Sequence, residues 1–286
     1  MKGLSVALRN SLRGSRLLIS LHYLFPVALG VFLGSKIYGR PILIGKALLV
    51  SLSVLFSFFT SVVLNDFNDL SIDGLNHKEN PLKDDIESYG YRLAGFTFLL
   101  ISLILALCAG YRMFLIVLLG NVLHFTYSSP PFRLKRFYPL SVFLLAVGAL
   151  LAAIAGFAVY ESARPLLAFP LKASLFIVIP LFLSLNFRDL TDFEGDMAHD
   201  VSTLFTLLGP AKGKWAAALL IFLGYLSTSL ILGYLPLLFV SVPLGILSAL
   251  VVLREPFREK HIFFIYFLFV AALSVLFNLK PEVLIG

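Results

Sequence analysis

Two aspartate triplets in this chain have the residue types and spacing of a cation-binding site. Asp66, Asp69 and Asp73 recur as Asp189, Asp192 and Asp196, each set spaced three then four, and each closing a long apolar run. Carboxylates beside a hydrocarbon core are costly and call for a functional reason. On a continuous helix, positions i, i+3 and i+7 share one face, so the spacing predicts two acidic faces. Clustered carboxylates repel one another unless cations are present. Mg²⁺ takes a few carboxylates together with phosphate oxygens and water, and Mn²⁺ is a possible substitute. A diphosphate held by Mg²⁺ between the two clusters satisfies both partners. The basic residues near the triplets, Lys78, Arg133, Lys135, Arg136 and Arg188, supply further donors to phosphate.

The elements that carry these residues are apolar. The chain is 59% hydrophobic and 14% charged, with a mean hydropathy of +0.94, which places it among all-α polytopic membrane proteins. Nine segments of spanning length are expected: 17–34, 42–64, 91–109, 113–127, 140–159, 166–187, 215–232, 235–253 and 262–278. The basic N-terminal stretch with Lys2, Arg9, Arg13 and Arg16 leads into the first of them, expected to be a retained helix rather than a cleaved signal. The single Cys108 supports no disulfide framework, and one Cys with five scattered His gives no zinc set. The net charge of +7 fits loops and anionic membrane lipids, not nucleic acid. With the N-terminus cytoplasmic, 16 Lys and Arg fall on inside segments and 7 outside, so the active-site loops are expected at the cytoplasmic face of the cell membrane.

The chain also reads as an internal duplication. The triplets are offset by 123 residues, and Pro131-Phe132-Arg133 and Pro256-Phe257-Arg258 by 125. Four expected spans separate the members of each pair, so a parallel repeat, about 17–136 and 140–261, is expected. This gives one transmembrane domain over 1–286, with two four-helix units around a central cavity.

Asn65-Asp66-x-x-Asp69-x-x-x-Asp73 resembles the first signature of the UbiA superfamily of intramembrane prenyltransferases, and Asp189-x-x-Asp192-x-x-x-Asp196 resembles the second. Tyr127-Ser128-x-Pro130-Pro131-x-Arg133-Leu134-Lys135 is similar to the family's stretch between the fourth and fifth helices, and Asp192-Phe193-Glu194-Gly195-Asp196 with Thr203-Leu204 is similar as well. The resemblance spans nearly the whole chain. It implies Mg²⁺-dependent transfer of a prenyl group from an isoprenyl diphosphate to an acceptor, by ionisation of the allylic C–O bond. It assigns Asn65, Asp66, Asp69 and Asp73 to one metal site and Asp189, Asp192 and Asp196 to the other. Lys78, Tyr127, Ser128, Arg133, Lys135 and Arg188 become substrate contacts, and Phe56, Phe58 and Phe59 candidates for a prenyl tunnel. Where the family commonly has Arg-Pro after the first motif, this chain has Asn80-Pro81, which removes one expected cation. Both a quinone-type aromatic acceptor and a prenylated glycerol phosphate, as in archaeal digeranylgeranylglyceryl phosphate synthase, fit the motifs.

Two other classes compete. A membrane cation transporter would place acids at the midplane, whereas these sit at the ends of apolar runs. A CDP-alcohol phosphotransferase would continue Asp-Gly into Ala-Arg, and Asp73-Gly74 does not. Asp84, Asp85 and Glu87 lack the spacing and read as solvated loop charge. Polar His22, Asn121 and His124 read as interhelical hydrogen-bonding groups, and Trp215 as an interfacial anchor.

Overall fold

A computed structural model describes residues 2–76, 80, 82, 88–161 and 163–285, and the described residues form helices and loops without a strand. Among the described residues eight helices are long and apolar enough to cross a membrane. The segment expected at 113–127 does form a helix, Tyr111–Ser128, but it stays outside that set. Its apolar character is diluted by Arg112, Asn121 and His124. The chain divides into two compact units, one of residues 1–135 with 148–169 and the other of 136–147 with 170–286.

The first unit opens with a short helix, α1 (Lys2–Ser11), set apart by Gly14 from α2 (Ser15–Ile37). The helices α3 (Ile44–Asn68), α4 (Leu70–Leu75), α5 (Ser88–Ala109) and α6 (Tyr111–Ser128) follow. The unit also takes the second half of α7 (Leu140–Phe157) and the one-turn α8 (Pro165–Ala168). In hydrocarbon there is no hydrophobic drive between helices, so small residues and interhelical hydrogen bonds hold them together. Ser53 and Ser102 each donate to the other's carbonyl at 2.8 Å, joining α3 to α5. Ser57 donates to Asn121 Oδ1 at 3.0 Å, joining α3 to α6. Between α2 and α7 the backbones nearly touch: a Cβ on Gly30 would lie 1.8 Å from the Ala153 carbonyl oxygen, and one on Gly156 2.2 Å from that of Val27.

The second unit contains α9 (Leu171–Ser184), which tightens into a 3-10 segment over Leu185–Thr191. Asn186 causes part of this change, because its amide donates to the carbonyls of Phe182 and Leu183 at 3.0 Å each and competes with the α-helical ladder. The short α10 (Phe193–Ala198) and α11 (Leu204–Leu208) lead to the long α12 (Pro210–Leu232), α13 (Leu238–Leu253) and α14 (Glu259–Leu279). The α12 helix packs on α9 and α13, and α13 on α14. Thr203 caps α11 reciprocally with Thr206, so this threonine of the second motif has a structural task. In both units large apolar side chains face outward along the long helices, among them Leu48 (58% exposed), Ile104 (58%) and Phe239 (86%), as lipid contact requires.

Candidate functional site

The acidic motifs do not sit on unbroken helices. In each, the middle aspartate is the break. Asp69 lies between α3 and α4 with φ −113° and ψ 10°, and Asp192 lies between the 3-10 segment and α10 with φ −108° and ψ 2°. The expected single face, i, i+3 and i+7, is therefore corrected: the first aspartate ends one helix, the second is the junction and the third belongs to the next short helix. Each junction is closed in the same way. Asp73 N–H donates to Asp69 O at 2.7 Å, and Asp196 N–H to Asp192 O at 2.9 Å. In the first motif two backbone carbonyls at the break accept from side chains instead. Asp66 O takes the Asn80 amide at 2.9 Å, and Asn68 O takes Arg133 Nη2 at 3.0 Å. Side chains thereby satisfy carbonyl groups that an unbroken helix would satisfy internally.

Within the first unit the predicted residues come together. Arg133 Nη2 reaches Asp69 Oδ1 at 3.2 Å, and Lys135 Nζ bonds the same oxygen. Arg133 does so from a left-handed backbone, φ 42°, a strained conformation of the kind stored at functional sites. Its Nε is buried and has no hydrogen-bond partner among the described residues. Asn80, in place of the expected arginine, donates to Asp73 Oδ2 at 2.9 Å, so it secures the motif's third carboxylate. Asn65 Oδ1 lies 3.5 Å from the hydroxyl of Ser128. Tyr127 is half-buried. Lys78, with Lys83, Asp84, Asp85 and Glu87, lies outside the described residues.

Sequence reasoning missed three donors to the first motif. Arg16 forms a two-pronged pair with Asp66, and Asn10 and Tyr91 bond the same carboxylate. Arg16 reads in the sequence only as a positive charge before the first span, and nothing in the spacing ties residues 10, 16 and 91 to residue 66.

In the second unit Asp196 is buried, while Asp189 and Asp192 are half-buried. Thr191 donates to Asp192 Oδ1 at 3.1 Å. Arg188 Nε stands 3.9 Å from Glu259 Oε1. Tyr138, in the loop before α7, has its phenol pushed above the ordinary value by burial and then by the charge of Asp189. Lys214 pairs with Glu255.

Among the described residues no three His, Cys, Asp or Glu side chains converge on one point. The donor set still suits Mg²⁺, which uses one or two carboxylates and completes its shell with phosphate and water. The groups at hand in each motif are hard oxygens, and in the first a cation pair, Arg133 and Lys135, stands beside them.

Deeper in the first unit, Tyr23, Ser57, Phe58, Gly120, His124 and Gly148 line part of a small, partly open pocket. Of the three phenylalanines before the motif, only Phe58 lines it. Phe56 and Phe59 turn to Phe98 of α5, with ring centroids 5.8 and 5.6 Å away.

Comparison with known proteins matches these features to one family. The family description "UbiA prenyltransferase family" matches residues 23–273. A chloroplastic 2-acylphloroglucinol 4-prenyltransferase of Humulus lupulus is 30% identical over 67% of this chain and 48% of its own length. This chain thus spans about half of that relative. The digeranylgeranylglyceryl phosphate synthase of Pyrococcus horikoshii is 28% identical over 69% of this chain and 71% of its own. A UbiA homolog from Archaeoglobus fulgidus, solved with GPP and Mg²⁺, shares the fold at a TM-score of 0.65 and 23% identity, over 92% of this chain and 97% of that one. The nine-tenths of the chain covered by the family match includes both aspartate motifs and the stretch between them, and the chain belongs to the UbiA prenyltransferase family.

Proposed function

We propose that this protein transfers a prenyl group from an isoprenyl diphosphate to a membrane-borne acceptor. The allylic C–O bond breaks with its electron pair leaving on the diphosphate. The acceptor's nucleophilic carbon or oxygen then bonds to the allylic carbon and loses a proton. Asn65, Asp69 and Asp73 in one motif and Asp189, Asp192 and Asp196 in the other hold Mg²⁺, with Mn²⁺ as substitute. The metal, when bound, neutralises charge gathering on the departing diphosphate. Arg133 and Lys135 stand where they add donors to the same oxygens, and Lys78, Tyr127, Ser128 and Arg188 are further contacts. Stabilising the leaving group in this way is where most of the rate advantage lies.

The observation that carries this reading is Asp69, a helix-junction residue that bonds Arg133 and Lys135 and whose local backbone conformation recurs at Asp192. The matched spacing of the two motifs supports both serving one diphosphate, and supports the duplication of about 17–136 in 140–261 within a single domain. The related structures described as bound to GPP or DMAPP with Mg²⁺ support the donor class and the metal. The mostly apolar lining of the pocket beside Phe58 supports that wall as the side on which an apolar prenyl tail lies. Related enzymes act on acylphloroglucinol, homogentisate and glycerol-phosphate acceptors, so the acceptor is an aromatic quinone precursor or a prenylated glycerol phosphate. The excess of Lys and Arg on the segments expected inside supports the motifs facing the cytoplasmic side of the cell membrane.

The test is product mass after incubating the purified protein with Mg²⁺, geranylgeranyl diphosphate and a panel of acceptors of both kinds. A prenylated acceptor that disappears in excess EDTA is expected. Free prenyl alcohol alone, or full turnover without divalent metal, would overturn the reading.

A further inference from the structure

Asp66 stands apart from the other carboxylates of its motif. It is 0% exposed, and both its oxygens are taken. Arg16 sends Nη2 to Oδ1 at 2.5 Å and Nη1 to Oδ2 at 3.0 Å. The Asn10 amide donates to Oδ2 at 2.7 Å, and the Tyr91 hydroxyl to the same oxygen at 2.5 Å. Asn10 also donates to the Tyr91 oxygen at 2.8 Å, so the donors are tied to each other. Three of the four donors crowd Oδ2, and Arg16 holds Oδ1 as well, so its guanidinium spans both oxygens of the carboxylate. A cation at Asp66 would have to displace a guanidinium that already balances its charge, and strand that guanidinium in a largely buried place.

The donors come from three elements. Asn10 lies on α1, Arg16 at the start of α2 and Tyr91 in the first turn of α5. The α1 helix itself lies against α5 so closely that a Cβ on Gly3 would fall 2.3 Å from the Gly90 carbonyl carbon. Its inner face holds Gly3, Ala7 and Ser11, all buried, and its outer face exposes Leu4 and Leu8 beside Arg9. One buried carboxylate thus joins a short amphipathic helix, too short to hold itself in water, to the end of α3.

We propose that Asp66 is not a metal ligand but the anchor that docks α1, α2 and α5 onto the acidic end of α3. The division of labour within the motif then runs by neighbour: Asn65 and Asp69 serve the cation, and Asp66 holds the wall behind them. The metal half of this statement rests on the prenyltransferase reading. The anchor half does not.

The experiment uses the full chain in detergent with Cys108 replaced by alanine and Ala7→Cys as a reporter on the buried face of α1. Two readouts are taken: maleimide labelling of that cysteine, and Mn²⁺ affinity by electron paramagnetic resonance. Asp66→Asn should raise the labelling rate about tenfold or more, as local undocking does, while Mn²⁺ affinity falls less than about threefold. Asp69→Asn should do the reverse, leaving the label slow and weakening Mn²⁺ by about tenfold or more. Arg16→Met and the pair Asn10→Ala with Tyr91→Phe keep the carboxylate in place and cover the case that Asp66→Asn fails to fold. They should free α1 with Mn²⁺ affinity unchanged. If Asp66 were a ligand, removing its competing donors would tighten Mn²⁺ binding, and that result overturns the proposal. So does an Asp66→Asn protein that loses Mn²⁺ as Asp69→Asn does with α1 still docked. An Asp69→Asn protein that keeps its Mn²⁺ would instead sink the metal reading, and the labelling would still decide the anchor.

Discussion

At the residue scale, the sequence suggests carboxylates in mutual repulsion, and the structure puts cations and amides between them. Asp69 carries Arg133 and Lys135, and Asp73 carries Asn80. The consequence for mutation is specific. Asp69→Asn and Asp192→Asn should each lower turnover by about 10²–10⁴-fold, because each removes a carboxylate whose worth is realised as the diphosphate departs. Asp69→Asn should also lose a little thermal stability, since two cations are left without their shared counter-charge. Asp85→Ala, nearby in sequence but off the spacing, should stay within about twofold in single-turnover kinetics, since the spacing argument gives that carboxylate no cation to hold. Equal damage from Asp85→Ala would mean that total loop charge matters and the spacing does not.

A second residue-scale device lies away from the motifs. Tyr38, just past α2, donates to Glu161 Oε2 at 2.5 Å, and Glu161 also accepts the backbone N–H groups of Ala163 and Arg164 at 2.7 and 3.0 Å. The Tyr38 bond, followed by those two backbone bonds, holds the Glu161 carboxyl below its ordinary value of 4.5. The same bond pushes the Tyr38 phenol up to about 12. A lowered carboxyl stabilises the fold above its unfolded pKa and ceases to as pH falls through its folded one. A raised phenol contributes fully below 10.0 and is lost as pH rises towards about 12. The melting-temperature difference between the wild type and Glu161→Gln should therefore be flat from pH 5 to 9 and shrink on both sides. A difference that grows on acidification would reverse the sign and remove this account.

At the scale of elements, the long helices were legible and their interruptions were not. Apolar length alone located α2, α3, α5, α7, α9 and α12–α14, because a long apolar helix satisfies its own backbone and so meets the cost of lying in lipid. The break at Asp69 was invisible because it depends on Asn80 and Arg133 capturing carbonyls from 14 and 65 residues away. The docking of α1 was invisible for the same reason: Asn10, Arg16 and Tyr91 form no motif, and only the fold brings them to one carboxylate. Small residues were partly legible. Glycine in an apolar run suggests close packing, but not with which partner. Gly30 and Gly156 turn out to face the backbones of α7 and α2. Gly30→Leu should cost about 1–3 kcal/mol or more, since the clash is with backbone that cannot rotate away. Gly45, whose added Cβ meets nothing, is the control and should tolerate alanine. If both variants melt alike in detergent, backbone contact between α2 and α7 is not what holds this pair.

At the scale of the whole molecule, α6 decides the topology. Its 18 residues give about 27 Å of helix, close to the ~30 Å of hydrocarbon in a bilayer. Its polar groups are provided for: Asn121 accepts from Ser57 and donates to Val117 O at 2.9 Å, so its modest hydropathy is no bar to burial in a bundle. If α6 crosses, four spans separate the two aspartate motifs and both face one side. If it does not, three spans separate them, and two motifs with the same spacing end on opposite faces, where they cannot share a diphosphate. Single cysteines at Leu75 and Met197, 46% and 54% exposed and each one or two residues past a motif, read this directly once Cys108 is replaced. Both should be protected from an impermeant maleimide in intact cells and labelled in inside-out vesicles, as the 16-to-7 excess of inside Lys and Arg requires. Labelling of both from outside would invert the orientation but keep both motifs on one side of the membrane. Labelling of only one would put α6 outside the set of spans and the two motifs on opposite sides of the membrane, and the single-donor reading would fall, however well each motif binds metal by itself.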